Sequence, residues 1–501
     1  MFQLTNEETK KIKISRSAGF RDFFPEDFAK VDFVLETMRR VSKEFGYEEY
    51  TTPAVELQKL YELKSGDELV GETFKIQSRS GQKLVLIPEI TPSLSRMLAE
   101  RQQYYSKPIR WFVLPRCYRD ESLQRGRVKE FWQYNIDILG MDEIYADAEI
   151  ITILVKIIVE LGLSKEQFVV RVNDRSFMQQ FFEAIGVKDF LSVIRVFDRK
   201  NKLLQEAIQK QLKGSFPDEE VVDIALVIRQ VKTIDDTIFE KIPDTKITRE
   251  IIETLDDIRR TVFVKALTAL KVTSKQAKIL YELSELETSP SKFIKKVKKI
   301  YPKDNAEELL ANLTELAQLL DAFNVTEYVQ YDGSLARGLD YYTGIVFEAW
   351  SRKGVLPRAI AGGGRYGDLV SELGGQPLTG TGLGFGETVV MELMDEYEIT
   401  YPKKTACDVY IAPIKLEDLS VVIDLANKLQ AKGLKTILNA FNWRIKRHFE
   451  NAERNGVEWM LIVGKKDFEN DAVTMKNIIT GEQEVIPLKK IVNVLVKKFK
   501  K

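Results

Sequence analysis

The segment from Arg110 to Gly140, RWFVLPRCYRDESLQRGRVKEFWQYNIDILG, constrains the fold more than any other part of the chain. Two alternating runs flank a polar loop containing Gly126, a pattern that predicts an antiparallel β-hairpin. Side chains alternate across a strand with period two. The second run therefore carries Gln133, Asn135 and Asp137 on one face and Trp132, Tyr134, Ile136 and Ile138 on the other, core face. Arg116, Arg119, Arg125 and Arg127 surround the turn. On this reading a polar row opposite a core, ringed by arginines, faces a cavity or solvent. An exposed hairpin with a solvated face is the alternative that residue types alone leave open.

Further segments carry related signals. In LIPEITPSLSRML, Glu89 and Thr91 share a face if the segment is extended, and Pro88 and Pro92 restrict its backbone. YDGSLARGLDYYTGIVFEAW (331–350) puts Arg337 and Asp340 in a turn before an alternating strand. AGGGRYGDL (361–369) and GTGLGFGETVV (380–390) follow. A dinucleotide-binding Gly-x-Gly-x-x-Gly reading of the last fails, because Phe385 and Glu387 stand where the third glycine is needed. The actual spacing, Gly380, Gly382, Gly384 and Gly386, strips one face of a strand and leaves a flat floor for a planar base. A close backbone approach or a tight helix crossing would use the same glycines.

Composition narrows the chemistry. The 501 residues suggest roughly three domains. Lys plus Arg and Asp plus Glu both number 75, so no global field announces a partner. A single histidine, His448, and two cysteines, Cys117 and Cys407, exclude most zinc sites, a disulfide framework and triads not built on His448. Arginines, carboxylates, amides and hydroxyls must carry the reaction. The most apolar stretch, Ile150 to Leu163, holds Lys156 and Glu160 and is too short to span a bilayer. No secretory or transit pattern opens the chain, which reads as soluble, cytoplasmic and unattached to membrane.

The expected fold class is α+β. Residues 1–175 and 324–400 read as two parts of one mixed domain, separated by a helical insertion over 176–323. In that insertion Asp304 with Glu307 resembles a capping box, and Leu309, Leu313, Leu316, Leu320 and Phe323 form one stripe. After a linker, Glu396 to Thr405, residues 405–501 alternate strand and helix, including helices over Leu416–Lys432 and Arg444–Asn455. This last part holds 17 Lys and Arg against 12 Asp and Glu. Its WRIKRHF run (443–449) could track an RNA backbone and stack bases, or be a solvated amphipathic helix. His448 reads as a surface residue and Cys117 as packed.

Taken together, these segments resemble the class II aminoacyl-tRNA synthetases, and within them the histidyl-tRNA synthetase family. AGFRDFFPED (18–27) and FGYEEYTTPAVE (45–56) look like the dimer-forming first motif. LIPEITPS resembles the Pro-Glu-x-Thr segment, and YRDE…QRGRVKEFWQYNID the second motif. LARGLDYYTGIVFE and AGGGRYGDL are similar to the two histidine-specific signatures, and residues 405–501 look like an anticodon-binding domain. The resemblance implies a class II catalytic core, a homodimer, and the joining of histidine to tRNA-His using ATP and Mg²⁺. It implies that Arg119 and Arg337 are catalytic, Arg119 on the α-phosphate and Arg337 on both that phosphate and the substrate carboxylate. Glu121 and Arg127 would hold the adenine side and distal phosphates, with Gly384 and Gly386 also at the ATP. Glu89, Thr91 and Gln133 would receive the ammonium, and Asp137, Tyr341 and Tyr342 would line the imidazole site. The Mg²⁺ ligands stay unassigned.

Three departures stand out. The third class motif usually ends in an arginine that stacks on adenine. GFGETVVMELM has none, so Arg352 or Arg358 is the expected substitute. Asp137 stands where glutamate is also common, and Gly367–Asp368 reverses the usual order. The missing arginine favours one rival, a non-catalytic synthetase paralogue acting as a regulator or tRNA sensor. A threonine or proline synthetase would leave RGLDYY and AGGGRY unexplained.

Overall fold

The computed structural model describes residues 15–499 apart from 65–70, 201, 205, 208–248, 302–304, 337–340, 353–357, 368, 403–406, 416–418 and 442. It divides into two units, Met1–Thr400 and Tyr401–Lys501. In the first, α1 (Pro25–Glu44) opens on a proline whose fixed φ suits a first helical turn, with Glu26 and Asp27 at the positive end of the dipole. Val31, Val34, Leu35, Met38 and Val41 recur at three and four residues and form its buried face. Then come β1 (Glu48–Glu49) and α2 (Thr91–Arg101).

The expected hairpin is present as β2 (Ile109–Val113), β3 (Arg116–Tyr118) and β4 (Glu130–Leu139), with β2 and β3 both antiparallel to β4. At its turn Gly126 takes φ 73°, where a Cβ is strained. The apolar stretch from Ile150 lies in α3 (Tyr145–Glu160), which is buried almost all round because it packs between the main sheet and α1. No helix among the described residues is long and apolar enough to cross a membrane.

The sheet continues with β5 (Phe168–Asp174), β6 (Glu287–Thr288), β7 (Val329–Asp332), β8 (Tyr342–Ser351), β9 (Ala361–Tyr366) and β10 (Gly380–Gly386). The last strand runs directly into α4 (Glu387–Glu396). Strand order is β1-β2-β4-β10-β9-β8-β5-β7-β6, with β3 on β4. Every pairing from β2 to β5 is antiparallel, while β1–β2 and β5–β7 are parallel. This order inserts β10, β9 and β8 between β4 and β5, so late and early chain segments share one surface.

Helices occupy much of the intervening stretch, with two corrections. β6 lies inside it and pairs with β7, so it is not purely helical. The leucine stripe is not one helix. Ala306–Leu309 and Ala311–Ala322 meet at buried Leu310, whose backbone leaves helical geometry and lets Leu309 and Leu310 both turn inward. Leu313, Leu316 and Leu320 are buried as the spacing requires. Asp304 lies outside the described residues.

The second unit holds β11 (Val409–Ile414), α5 (Ser420–Ala431), β12 (Thr436–Leu438), α6 (Ile445–Arg454), β13 (Trp459–Gly464), β14 (Ala472–Asn477), β15 (Gln483–Pro487) and α7 (Leu488–Phe499). Its sheet order is β12-β11-β13-β14-β15. Val409, Ile411, Leu425, Leu429, Leu461 and Ile491 belong to its main core. Leu416, the expected start of α5, is outside the described residues. His448 corrects the sequence expectation, since it is fully buried and its Nδ1 lies 3.2 Å from the Tyr410 hydroxyl.

Candidate active site

Register brings the glycines to the polar row. Gly382 pairs with Asp137, Gly384 with Asn135 and Gly386 with Gln133. Directly paired residues of antiparallel strands project to the same face. A Cβ at Gly382 would strike Asp137 Oδ1, so this glycine serves close packing. A Cβ at Gly384 would meet Gln133 Nε2 at 3.4 Å, and one at Gly386 would meet Phe131 at 3.7 Å. Those two positions are half-buried and form a floor beside Gln133 and Phe131 where a methyl would meet only ordinary contacts.

Arg119 stands at the edge of that floor. Its Nε donates to the Pro88 carbonyl at 3.0 Å and its Nη2 to Gln133 Oε1 at 3.4 Å. The guanidinium lies 5.1 Å from the Phe131 ring centre. Gln133 Nε2 in turn donates to Asn135 Oδ1 at 2.8 Å. Glu121 is buried and pairs with Arg127. Burial pushes the Glu121 carboxyl up, opposed by the charges of Arg127, Arg119 and Arg358, while Glu72 adds to the rise. Arg358, from the connection between β8 and β9, donates from Nη2 to Gln124 Oε1 at 3.2 Å. Three guanidiniums thus face two carboxylates, a positive surplus suited to an anion. A cavity of about 580 Å³ adjoins this group between Arg16–Arg21 and Leu123–Val128. The other two turn arginines are surface ion-pair residues, Arg116 with Glu130 and Arg125 with Glu392 and Glu396, all at 2.8 Å.

At the other end of the row Asp137 is buried. Its Oδ1 accepts from the Tyr366 hydroxyl at 2.7 Å, and its Oδ2 has no partner among the described residues. Burial pushes its pKa up to about 7, against the Tyr366 hydrogen bond. The Tyr50 hydroxyl, also without a partner among the described residues, lies within electrostatic range of Asp137. Tyr366 meets Tyr341 edge-on at 6.2 Å, and Tyr341 packs on Tyr342 at 4.7 Å. Tyr342 is the more buried of the two, against Leu335 and Val346. Polar atoms left unmatched in a buried pocket are costly unless a ligand completes them.

Several site residues sit differently from expectation. Glu89 and Thr91 are not on an extended strand. Glu89 is buried in a bend whose carbonyl accepts from Tyr61 at 2.9 Å, and Thr91 begins α2, because Pro92 suits a first helical turn. Arg352 is committed to the carbonyls of Lys165 and Phe168 at 2.7 and 3.1 Å on the β5 side, so only Arg358 reaches the arginine group. Arg337 and Asp340 lie outside the described residues. Sequence reasoning missed Tyr366 as the partner of Asp137, and also Arg21, which donates to buried Glu387 at 2.5 Å and to the Glu130 carbonyl at 3.2 Å. The AGGGRY motif ends on Tyr366, a usable signal; Arg21 and Glu387 are 366 residues apart and offer none. No group of three or more His, Cys, Asp or Glu among the described residues could hold a metal ion by itself.

A broad antiparallel sheet, with arginines at one end of a polar strand row and glycine-stripped strands beside it, is the architecture of the class II aminoacyl-tRNA synthetases. Solved structures agree. Histidyl-tRNA synthetase from Nostoc sp. superposes with a TM-score of 0.73 at 20% identity, covering 98% of this chain and all of that one. A protein described as ATP phosphoribosyltransferase regulatory subunit/histidyl-tRNA synthetase, from Bacillus halodurans, gives 0.61 at 19% identity over 91% of this chain and 99% of its own. The family model for histidyl-tRNA synthetase matches residues 19–262 and 220–387, and that for the anticodon binding domain matches 408–498. Histidine–tRNA ligase from Pyrococcus furiosus is 30% identical over 96% of this chain and 98% of its own. The chain belongs to the histidyl-tRNA synthetase family.

Proposed function

We propose that this protein is a cytoplasmic, homodimeric histidine–tRNA ligase that activates histidine with ATP and transfers it to tRNA-His. One observation carries the reading. A buried carboxylate with an unfilled oxygen, Asp137, sits among tyrosines on the same strand face as Gln133, which itself touches Arg119. An imidazole N–H suits Asp137 Oδ2, and a tyrosine hydroxyl suits its other nitrogen. Threonine and proline cannot supply both, so a buried polar demand rejects them.

The chemistry follows from charge. The histidine carboxylate attacks the α-phosphorus of ATP, forming a C–O–P anhydride while the bond to pyrophosphate breaks. A ribose hydroxyl of tRNA then displaces AMP. The nucleophile is already an anion and needs no base; the difficulty is bringing anions together. Arg119, oriented by Pro88 and Gln133, offers a planar guanidinium for the α-phosphate. Arg127 and Arg358 extend positive charge toward the outer phosphates, and the floor at Gly384 and Gly386 takes the base. The resemblance assigns Arg337 to the carboxylate and α-phosphate together, and Glu89 and Thr91 with Gln133 to the ammonium. Magnesium carried on nucleotide phosphates needs only one or two protein carboxylates; Glu72, within electrostatic range of Glu121 and the arginine group, would be the carboxylate at hand to hold it. When bound, the ion neutralises phosphate charge.

One observation favours a second reading, a non-catalytic regulator: GFGETVVMELM, which runs into α4, holds no arginine to stack on adenine. Charging of a tRNA-His transcript with labelled histidine separates the two. Accumulation of histidyl-tRNA supports the ligase, and its absence from folded protein with ATP and Mg²⁺ favours the regulator. Twice 57.6 kDa is the solution mass expected of the dimer.

A further inference from the structure

On the far side of the sheet from Asp137 lies a buried polar knot that the adenylation chemistry does not use. Arg365 of β9 and Thr381 of β10 pair directly, so their side chains project to one face. Both reach Asp147 on α3, which is fully buried. The Thr381 hydroxyl donates to Asp147 Oδ1 at 2.8 Å, and Arg365 donates to Oδ2 from Nε at 2.9 Å and from Nη2 at 2.5 Å. Its other N–H groups go to the carbonyls of Met141 at 3.0 Å and Glu143 at 2.8 Å, and to Thr379 Oγ1 at 3.4 Å. Every donor of the guanidinium fork is thereby taken. β8 leaves room for the stem, since a Cβ at Gly344 would stand 3.1 Å from Arg365 Cδ.

Placement decides what the knot does. Chain neighbours on a strand face opposite ways. Tyr366 follows Arg365 and Gly382 follows Thr381, so both turn to the other side of the sheet. There Tyr366 donates to Asp137 at 2.7 Å, and Gly382 is the strand partner of Asp137. Asp147 therefore sets β9 against β10, and Arg365 sets both against the turn that ends β4, the strand of Asp137. A binding group must be held to about 0.5 Å, and a fully bonded buried network supplies that rigidity. Stability alone does not call for it, because apolar side chains packed there would serve as well.

We infer that Arg365, Asp147 and Thr381 are positioning residues for histidine recognition, holding Tyr366 against Asp137 from behind without touching the substrate. This rests on the reading that the protein activates histidine. Histidine-dependent ATP–pyrophosphate exchange tests it on full-length wild type, Thr381→Val, Thr381→Ser and Arg365→Lys, each with its urea midpoint. Thr381→Val keeps the volume and drops the hydroxyl. It is expected to raise the KM for histidine about tenfold, the worth of one hydrogen bond to a charged group, while kcat and the KM for ATP hold. Thr381→Ser restores the wild-type KM. Arg365→Lys cannot span the same acceptors and raises it further; should that variant not fold, the two Thr381 variants decide alone. Tyr366→Phe raises the KM by itself, and Thr381→Val adds nothing to it, because the link is already cut. A lower kcat that follows the urea midpoint, with both KM values unchanged, marks a merely structural knot and overturns the inference alone. Full additivity with Tyr366→Phe also overturns it. A wild-type protein that shows no exchange with histidine overturns the underlying reading, and the positioning role with it.

Discussion

Replacing Asp137 with Asn is expected to stabilise the ligand-free protein while disabling its response to histidine. Burial holds the Asp137 pKa at about 7, against 3.8 for the unperturbed group. The sign follows from that order. Below the unfolded value both states are protonated and no charge is buried. As pH rises from about 4 to 7 the unfolded chain ionises while the folded site resists, so folding loses stability throughout that window. Above pH 7 the full cost remains, about 4 kcal/mol at about 1.4 kcal/mol per unit. Asn cannot ionise, yet its Oδ1 can still accept from Tyr366. The stability advantage of the variant should therefore grow by about 2–3 kcal/mol between pH 5 and pH 8 and then level. Urea denaturation followed by tryptophan fluorescence is suited to this, because Trp111 and Trp132 lie in β2 and β4 of the same sheet. In histidine-dependent exchange the variant should lose at least about a hundredfold in kcat/KM, since the imidazole loses its charged acceptor. Parallel pH–stability profiles for the two proteins would refute the claim that Asp137 is a desolvated carboxylate waiting for a partner.

Three further outcomes follow from the same geometry. Gly382→Ala forces a methyl onto Asp137 Oδ1 and should cost about 1–3 kcal/mol of stability; Gly386→Ala meets Phe131 at an ordinary 3.7 Å and should leave the denaturation midpoint unchanged. Arg119→Lys should reduce exchange nearly as much as Arg119→Ala, about 10²–10³-fold, because an ammonium cannot keep the Pro88 and Gln133 bonds while facing a phosphate; recovery by Lys in steady-state kinetics would count against this geometry. Arg365→Met should destabilise the fold by about 3–5 kcal/mol, because it strands buried Asp147, which Arg365 and Thr381 both bond; denaturation at neutral pH measures it.

Local pattern made part of this site legible. Period-two alternation in β4 put Gln133 and Asp137 on one face, and alternate glycines announced a stripped strand. Their meeting was not legible, because the register of Asp137 on Gly382 joins segments separated by the whole helical stretch. The same distance hid Tyr366 behind Asp137 and Arg21 behind Glu387. Glu89 and Thr91 misled because two prolines restrict a backbone without saying whether it extends or begins a helix. His448 misled by residue type, although Phe449 and Ala452 fall at helical spacing beside it and mark that side of α6 as inward. The arginines could be counted but not sorted. Only the fold separates Arg119, Arg127 and Arg358, gathered around Glu121, from Arg116 and Arg125, paired at the surface.

The most direct measurement is ATP–pyrophosphate exchange with each of the twenty amino acids, Mg²⁺ present and tRNA absent. Exchange with histidine alone is the predicted result, and it would show a working nucleotide site despite the missing third-motif arginine. Exchange with a different amino acid, or with none from folded protein, would contradict the account.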